Sequence, residues 1–148
     1  MSTVPHLATI DALLAREFPA EHGTSDLGIG GPGYFIRELR TEGAAGDASG
    51  CGLRELAEEQ CEAERDGLGI SLDGRYGAGG NTVPLSGLLI RGMERGEHIP
   101  EPWAYLSALA SDARVWETGS RLIALAVSRL DPAQPPALLV AVTVIDLP

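Results

Sequence analysis

The sequence predicts an α+β protein in which N-terminal helices pack on a C-terminal antiparallel meander of three to four strands. Three observations carry this expectation. Of 148 residues, 37 are Leu, Ile, Val or Phe, above the level at which disorder is the default, and a chain of this length buries a core without disulfide or metal staples. Glycine is uneven, with 15 of 19 falling between Gly23 and Gly80, so turn-rich connections belong to the first part and regular structure to the last. The final third carries apolar residues on both faces of successive segments. A single globular domain, 1–148, is expected, with a helical, loop-rich part over about 1–110 and strands over about 113–146.

The opening helix is marked by Ser2 or Thr3 as cap, Pro5 near its first position, and Leu7, Ile10, Leu14 and Phe18 close to one face, with Pro19 as the stop. Residues Glu21 to Gly33 read as a polar, glycine-rich loop. Tyr34 to Arg40 fits a short helix or a strand, and the helix is preferred. A second helix is expected from about Leu53 to Arg65, placing Leu53, Leu56, Ala57 and Cys61 on one face and Glu55, Glu58, Glu59 and Glu62 largely on another. Gly67 would close it.

Leu68, Ile70 and Leu72 then alternate with Gly69, Ser71 and Asp73 and lead into Asp73-Gly74, the pattern of a strand and tight turn. A helix using Leu68, Leu72 and Tyr76 competes, but Gly67, Gly69 and Gly74 would each weaken it by about 1 kcal/mol. A further helix is expected from about Pro84 to Arg95, with Leu85, Leu88, Leu89 and Met93 on its apolar face and Gly96 at its end. Pro100 and Pro102 introduce a short one, in which Trp103, Leu106 and Leu109 or Ala110 share a face.

The meander comprises Ala113 to Glu117, a Thr118-Gly119 turn, Arg121 to Leu130, a proline-bearing connection from Asp131 to Pro136, and Ala137 to Asp146. In its last two strands Leu122 and Ala124 oppose Ile123 and Leu125, and Leu138, Val140, Val142 and Val144 oppose Leu139, Ala141 and Ile145. Both faces must therefore be covered. Helices supply one cover; the other requires more helix or a second subunit, so the C-terminal strand is expected to be buried or paired in a homodimer.

Charge narrows the function classes. Acidic residues number 21 against 11 basic ones, all arginine, for a formal net charge of -10. The absence of lysine removes Schiff-base chemistry and the phosphate-loop lysine, and the negative field repels nucleic acid while speeding encounter with basic proteins. No nucleic-acid or membrane partner is expected. Residues Met1 to Phe18 lack a basic start and carry Asp11 within the apolar stretch, and the run from Ala137 to Val142 is far short of a membrane helix of ~20 residues. A cytoplasmic protein is expected, in keeping with two isolated cysteines. If Cys51 begins the second helix, about 15 Å separates it from Cys61, beyond the ~7 Å reach of a disulfide.

Motifs for chemistry are weak. Gly28-Ile29-Gly30-Gly31-Pro32-Gly33 matches the dinucleotide fingerprint Gly-x-Gly-x-x-Gly, but a polar stretch precedes it where a strand is needed, so it reads as a flexible loop. Gly77 to Asn81 has no lysine to hold a phosphate. His6, His22 and His98 form no metal-binding spacing, and His98 with Glu101 reads as a solvated loop pair. Neither Ser49 nor Ser86 has the surroundings of an elbow nucleophile. Cys61 reads as a small buried hydrophobe. No catalytic, cofactor or metal residue is assigned, and an enzyme is not expected.

The strongest polar feature is the acidic helix face, Glu55, Glu58, Glu59 and Glu62, with Glu64 and Asp66 beyond it. Like charges at i and i+4 cost a helix a few tenths of a kcal/mol each, which hints at electrostatic use. Trp103, Tyr105 and Trp116 are expected to gather where the short helix meets the sheet, suited to packing or to partner contact. The resulting expectation is a small acidic cytoplasmic protein-binding module, inhibitor-like or immunity-like, covering a basic partner through Glu55, Glu58, Glu59, Glu62, Trp103 and Trp116. The alternatives are a small-ligand protein or enzyme using the glycine-rich loops with His98 or Glu101, and a structural homo-oligomer subunit.

Overall fold

The computed structural model describes residues 3–25, 28–39, 51–77, 81–96, 98–130 and 136–145. Along them run α1 (Thr3–Ala15), β1 (Gly23–Ser25), β2 (Gly28–Gly31), β3 (Tyr34–Leu39), α2 (Cys51–Tyr76), β4 (Asn81–Pro84), α3 (Leu85–Arg95), α4 (Trp103–Leu109), β5 (Asp112–Glu117), β6 (Leu122–Ser128) and β7 (Ala137–Thr143). The strands form one sheet in the order β1-β2-β3-β7-β6-β5-β4, with every neighbouring pair antiparallel. The α+β class and the C-terminal meander match the sequence expectation. The sheet, however, has seven strands rather than three or four, and helices lie on both of its faces.

Alternation along the central strands builds two cores. Ile123, Leu125 and Val127 of β6, with Leu138, Val140 and Val142 of β7, point to one side and pack with Ile10 and Leu13 of α1 and Cys61, Leu68 and Leu72 of α2. Ala124 and Ala126 of β6, with Leu139 and Ala141 of β7, point to the other side and meet Leu85 of α3 and Trp103 and Leu106 of α4. A period of two along each strand enforces this division. The second apolar face is thus covered by α3 and α4 of the same chain. β7 sits inside the sheet between β3 and β6, so its burial needs no second subunit.

The helix expected over Tyr34 to Arg40 is corrected to a strand: β3 runs antiparallel to β7 from Tyr34↔Thr143 to Leu39↔Leu138. The sequence pattern misleads because β3 is covered on both sides, Phe35 and Leu39 facing one core and Tyr34 and Ile36 the other. The expected loop over Glu21 to Gly33 contains β1 and β2 instead. Gly30 and Gly31 are cross-strand partners of Phe35 and Tyr34, and a Cβ at Gly30 would lie 3.0 Å from the Phe35 ring, one at Gly31 2.6 Å from the Tyr34 ring. The fingerprint-like glycines therefore make room for two aromatic rings that fold back across the strand, one on each face.

The strand expected over 68–73 is also corrected. α2 continues unbroken from Cys51 to Tyr76, through Gly67, Gly69 and Gly74. Burial outweighs propensity here, because Leu68 and Leu72 are fully enclosed and each is worth about 1.5–3 kcal/mol. Gly69 lies beneath the Arg114 side chain, where a Cβ would stand 2.6 Å from Nη1 and push the guanidinium aside. Extending the helix turns its buried face toward Ala57, Cys61, Leu68 and Leu72, which leaves Leu56 60% exposed rather than on the core side. The unbroken helix also keeps Cys51 and Cys61 about 15 Å apart along its axis.

The remaining helices follow the sequence closely. α3 ends at Gly96, whose left-handed backbone (φ 65°) lets its N–H reach the carbonyls of Gly92 and Met93. Met93, expected on the apolar face, is instead 74% exposed. α4 buries Trp103 and Leu106 as expected. The β5–β6 turn closes with the Thr118 N–H donating to the Arg121 carbonyl at 2.8 Å. Ser49, the glycine-rich residues 78–80 and the connection 131–135 lie outside the described residues.

Candidate interaction surface on the acidic helix

The acidic residues of α2 divide into those bound within the fold and those facing outward. Glu62 Oε1 lies 2.6 Å from Arg129 Nη1 at the end of β6. Glu64 Oε2 lies 3.5 Å from Nε2 of the buried His6 on α1, too far for a hydrogen bond, and both atoms are shut off from solvent. Asp66 is 3.7 Å from Arg65, which also approaches Asp112 at 3.7 Å. Asp73 accepts from Trp116 Nε1 at 2.8 Å and stands 3.7 Å from Arg114, whose guanidinium lies 5.0 Å from the Trp116 ring centroid. At the C-terminal end, Arg75 donates to Asp11 of α1 at 2.8 Å. Much of the helix's charge thus ties it to α1 and to the β5–β6 side of the sheet.

The outward side is different. Glu55, Leu56, Glu59, Ala63, Asp66, Ile70 and Gly74 are all exposed, and among the described residues Glu55 and Glu59 have no ion pair. Leu56 and Ile70 are 60% and 72% exposed. Of the six residues singled out from sequence, Glu55 and Glu59 therefore share the open face, whereas Glu58 is half-buried and Glu62 is paired inward.

The two indoles do not join that surface. Trp103 is fully buried against the alanine side of the sheet, its Nε1 donating to the Ile145 carbonyl at 3.0 Å. Trp116 is 3% exposed and lies in the opposite core. They belong to the two faces of the sheet, and the expected gathering of Trp103 with Trp116 does not occur, because position 116 points away from α4.

The structure also brings together a second polar group. The Tyr34 hydroxyl meets Nδ1 of the exposed His22, and burial, reinforced by the nearby Glu101 carboxylate, raises the phenol above its ordinary pKa. Glu101 Oε2 also accepts from the Tyr105 N–H at 3.3 Å. The residues come from three separated segments, so no local spacing announces them; Tyr34 opposite Gly31 was the available signal. His98 is exposed, as a solvated loop histidine would be.

Among the described residues, no three His, Cys, Asp or Glu side chains are placed to hold a metal ion, and no helix is long and apolar enough to cross a membrane. Comparison with known protein families, with characterised proteins and with solved structures finds no match.

Proposed function

We propose that the chain is a small acidic protein-binding module, acting in the cytoplasm in the manner of an inhibitor or immunity protein, that covers a basic partner with the outward face of α2. The observation that supports this reading is the exposure of Leu56 and Ile70 on a helix face that also carries Glu55, Glu59 and Asp66. Apolar side chains left in water beside exposed carboxylates, of which Glu55 and Glu59 have no ion pair among the described residues, gain from a partner that buries the first and neutralises the second. The net charge of -10 adds long-range steering toward such a partner. The homo-oligomer alternative loses its main support, since α3 and α4 cover the sheet face that had called for a second subunit.

The test uses the full chain as bait in extract of its source cells. A basic protein retained in stoichiometric amount, released as salt rises and lost with the Glu55→Lys, Glu59→Lys double variant, is the expected result. Recovery of no basic protein, or retention indifferent to charge reversal, overturns the proposal. A small-ligand or enzymatic reading draws on His22, Tyr34 and Glu101 instead. It predicts a ligand-induced rise in Tm that His22→Ala abolishes without lowering the Tm of the free protein.

A further inference from the structure

We infer that the element recognised by α2 is a basic amphipathic helix, docked lengthwise along the outward ridge; this rests on the protein-binding reading above and specifies its partner. Along the exposed side of α2 the chain reads Leu56, Glu59, Ala63, Asp66 and Ile70. The steps alternate three and four residues, the spacing of the a and d positions of a heptad. Every a position is apolar and every d position is acidic. From Leu56 to Ile70 the ridge spans about 21 Å, four turns of helix, and the small Ala63 at its middle leaves space for a second backbone to approach.

That geometry selects the occupant. A straight helix laid alongside presents its own side chains at matching intervals, so apolar residues meet Leu56, Ala63 and Ile70 while arginine or lysine meets Glu59 and Asp66. An extended peptide advances about 3.3 Å per residue and keeps step with none of these positions for long. A second copy of this chain is disfavoured, because it would set Glu59 and Asp66 against like charges on two bodies each carrying -10. An anionic lipid surface is repelled for the same reason. Since α2 is anchored from its other sides by Arg129 on Glu62 and by Arg114 and Trp116 on Asp73, the ridge is held rigid and little ordering accompanies docking.

The test measures fluorescence anisotropy of labelled peptides of about three heptads with the full-length protein at low salt. One peptide has leucine at every a position and lysine at every d position; its companion, for antiparallel docking, has the two exchanged. A control of identical composition has the order scrambled so that no amphipathic helix forms. One of the two patterned peptides should bind at least about tenfold more tightly than the control, a difference of about 1.4 kcal/mol. The Leu56→Ser, Ile70→Ser variant, altered only at exposed positions, should remove that advantage, and Glu59→Lys, Asp66→Lys should transfer it to a peptide with glutamate in place of lysine. Equal binding of patterned and scrambled peptides overturns the helix inference but leaves a charge-driven module standing. If the patterned peptides bind but both double variants bind them unchanged, the assignment to this ridge fails. Failure of every basic peptide and of every basic protein in the bait experiment removes the underlying reading as well.

Discussion

The two faces of the sheet are built from the same strands yet from different materials. On the α1–α2 side, β6 and β7 offer six large aliphatic side chains, Ile123, Leu125, Val127, Leu138, Val140 and Val142, and the covering helices meet them with large side chains of their own, Ile10, Leu13, Leu68 and Leu72. On the α3–α4 side the same strands offer alanines at positions 124, 126 and 141, and the large volume comes from the helix as Trp103. Bulk comes from sheet and helices alike in one layer and is concentrated in a single helical indole in the other. Interiors pack near crystal density, so each arrangement keeps the layer spacing only if its partner is shaped to fit.

If the alanine floor is moulded to the indole, the largest single loss should come from Trp103→Ala. It empties a fully buried site and orphans the Ile145 carbonyl, so about 3–5 kcal/mol is expected, read from the urea unfolding midpoint. Leu125→Ala on the other face, also fully buried, should cost about 2–5 kcal/mol. A Trp103→Ala effect below 1 kcal/mol would mean that α4 closes over the gap and that the floor is no mould.

Ala124→Leu sharpens the same point from the sheet side. Added to the intact protein it overpacks the layer, at about 1–3 kcal/mol. In the Trp103→Ala background it should instead recover part of the loss, with a coupling energy of about 0.5–3 kcal/mol in a double-mutant cycle. Strict additivity would show that position 124 and the indole do not share one space.

The faces differ in polar content too, and pH exposes it. Tyr34 lies on the α3–α4 side with its phenol raised above the ordinary value. The folded state therefore holds this proton where the unfolded state has released it. The contribution to stability is fully present below about pH 10, the ordinary tyrosine value, and is lost as pH climbs through the higher folded value. Phenolate absorbance should show one of the three tyrosines ionising late, and Tyr34→Phe should remove that step and flatten the alkaline decline in stability. Simultaneous ionisation of all three would contradict the enclosure of Tyr34.

What the sequence reveals follows from where its signals are local. The opposition of Ile123, Leu125 and Val127 to Ala124 and Ala126 is legible as soon as β6 is read as a strand, and it requires two covers. It does not say which helices supply them. β3 is hidden because Tyr34, Phe35 and Ile36 are consecutive and all buried, a run that fits either helix or strand, and its partners on β7 lie far along the chain, from Tyr34↔Thr143 to Leu39↔Leu138. The acidic side chains read as one solvated face, but Glu62 finds its arginine at position 129 and Asp73 its indole at position 116, contacts that no spacing within α2 encodes. Glu55 and Glu59 remain as the legible part of the surface, and Leu56 joins them because the buried stripe of α2 runs through Ala57, Cys61, Leu68 and Leu72.

The smallest effects test why the small residues of α2 are where they are. A Cβ at Gly74 would meet nothing within 4 Å, whereas one at Gly69 would press on Arg114 Nη1 at 2.6 Å. Gly74→Ala should therefore gain the helical preference of alanine over glycine, about 0.5–1 kcal/mol, visible as a raised Tm. Gly69→Ala gains the same preference but displaces the guanidinium from Asp73 and from the Trp116 ring, losing an exposed-type ion pair and a cation–π contact worth about 0.5–1 kcal/mol each. The two losses together outweigh the gain, by about 0.5–1 kcal/mol, so its Tm should fall slightly or stay level. Equal stabilisation by both substitutions would mean that Arg114 relaxes freely, and that Gly69 is no more a packing requirement on the aliphatic face than Gly74 is at the exposed end of the helix.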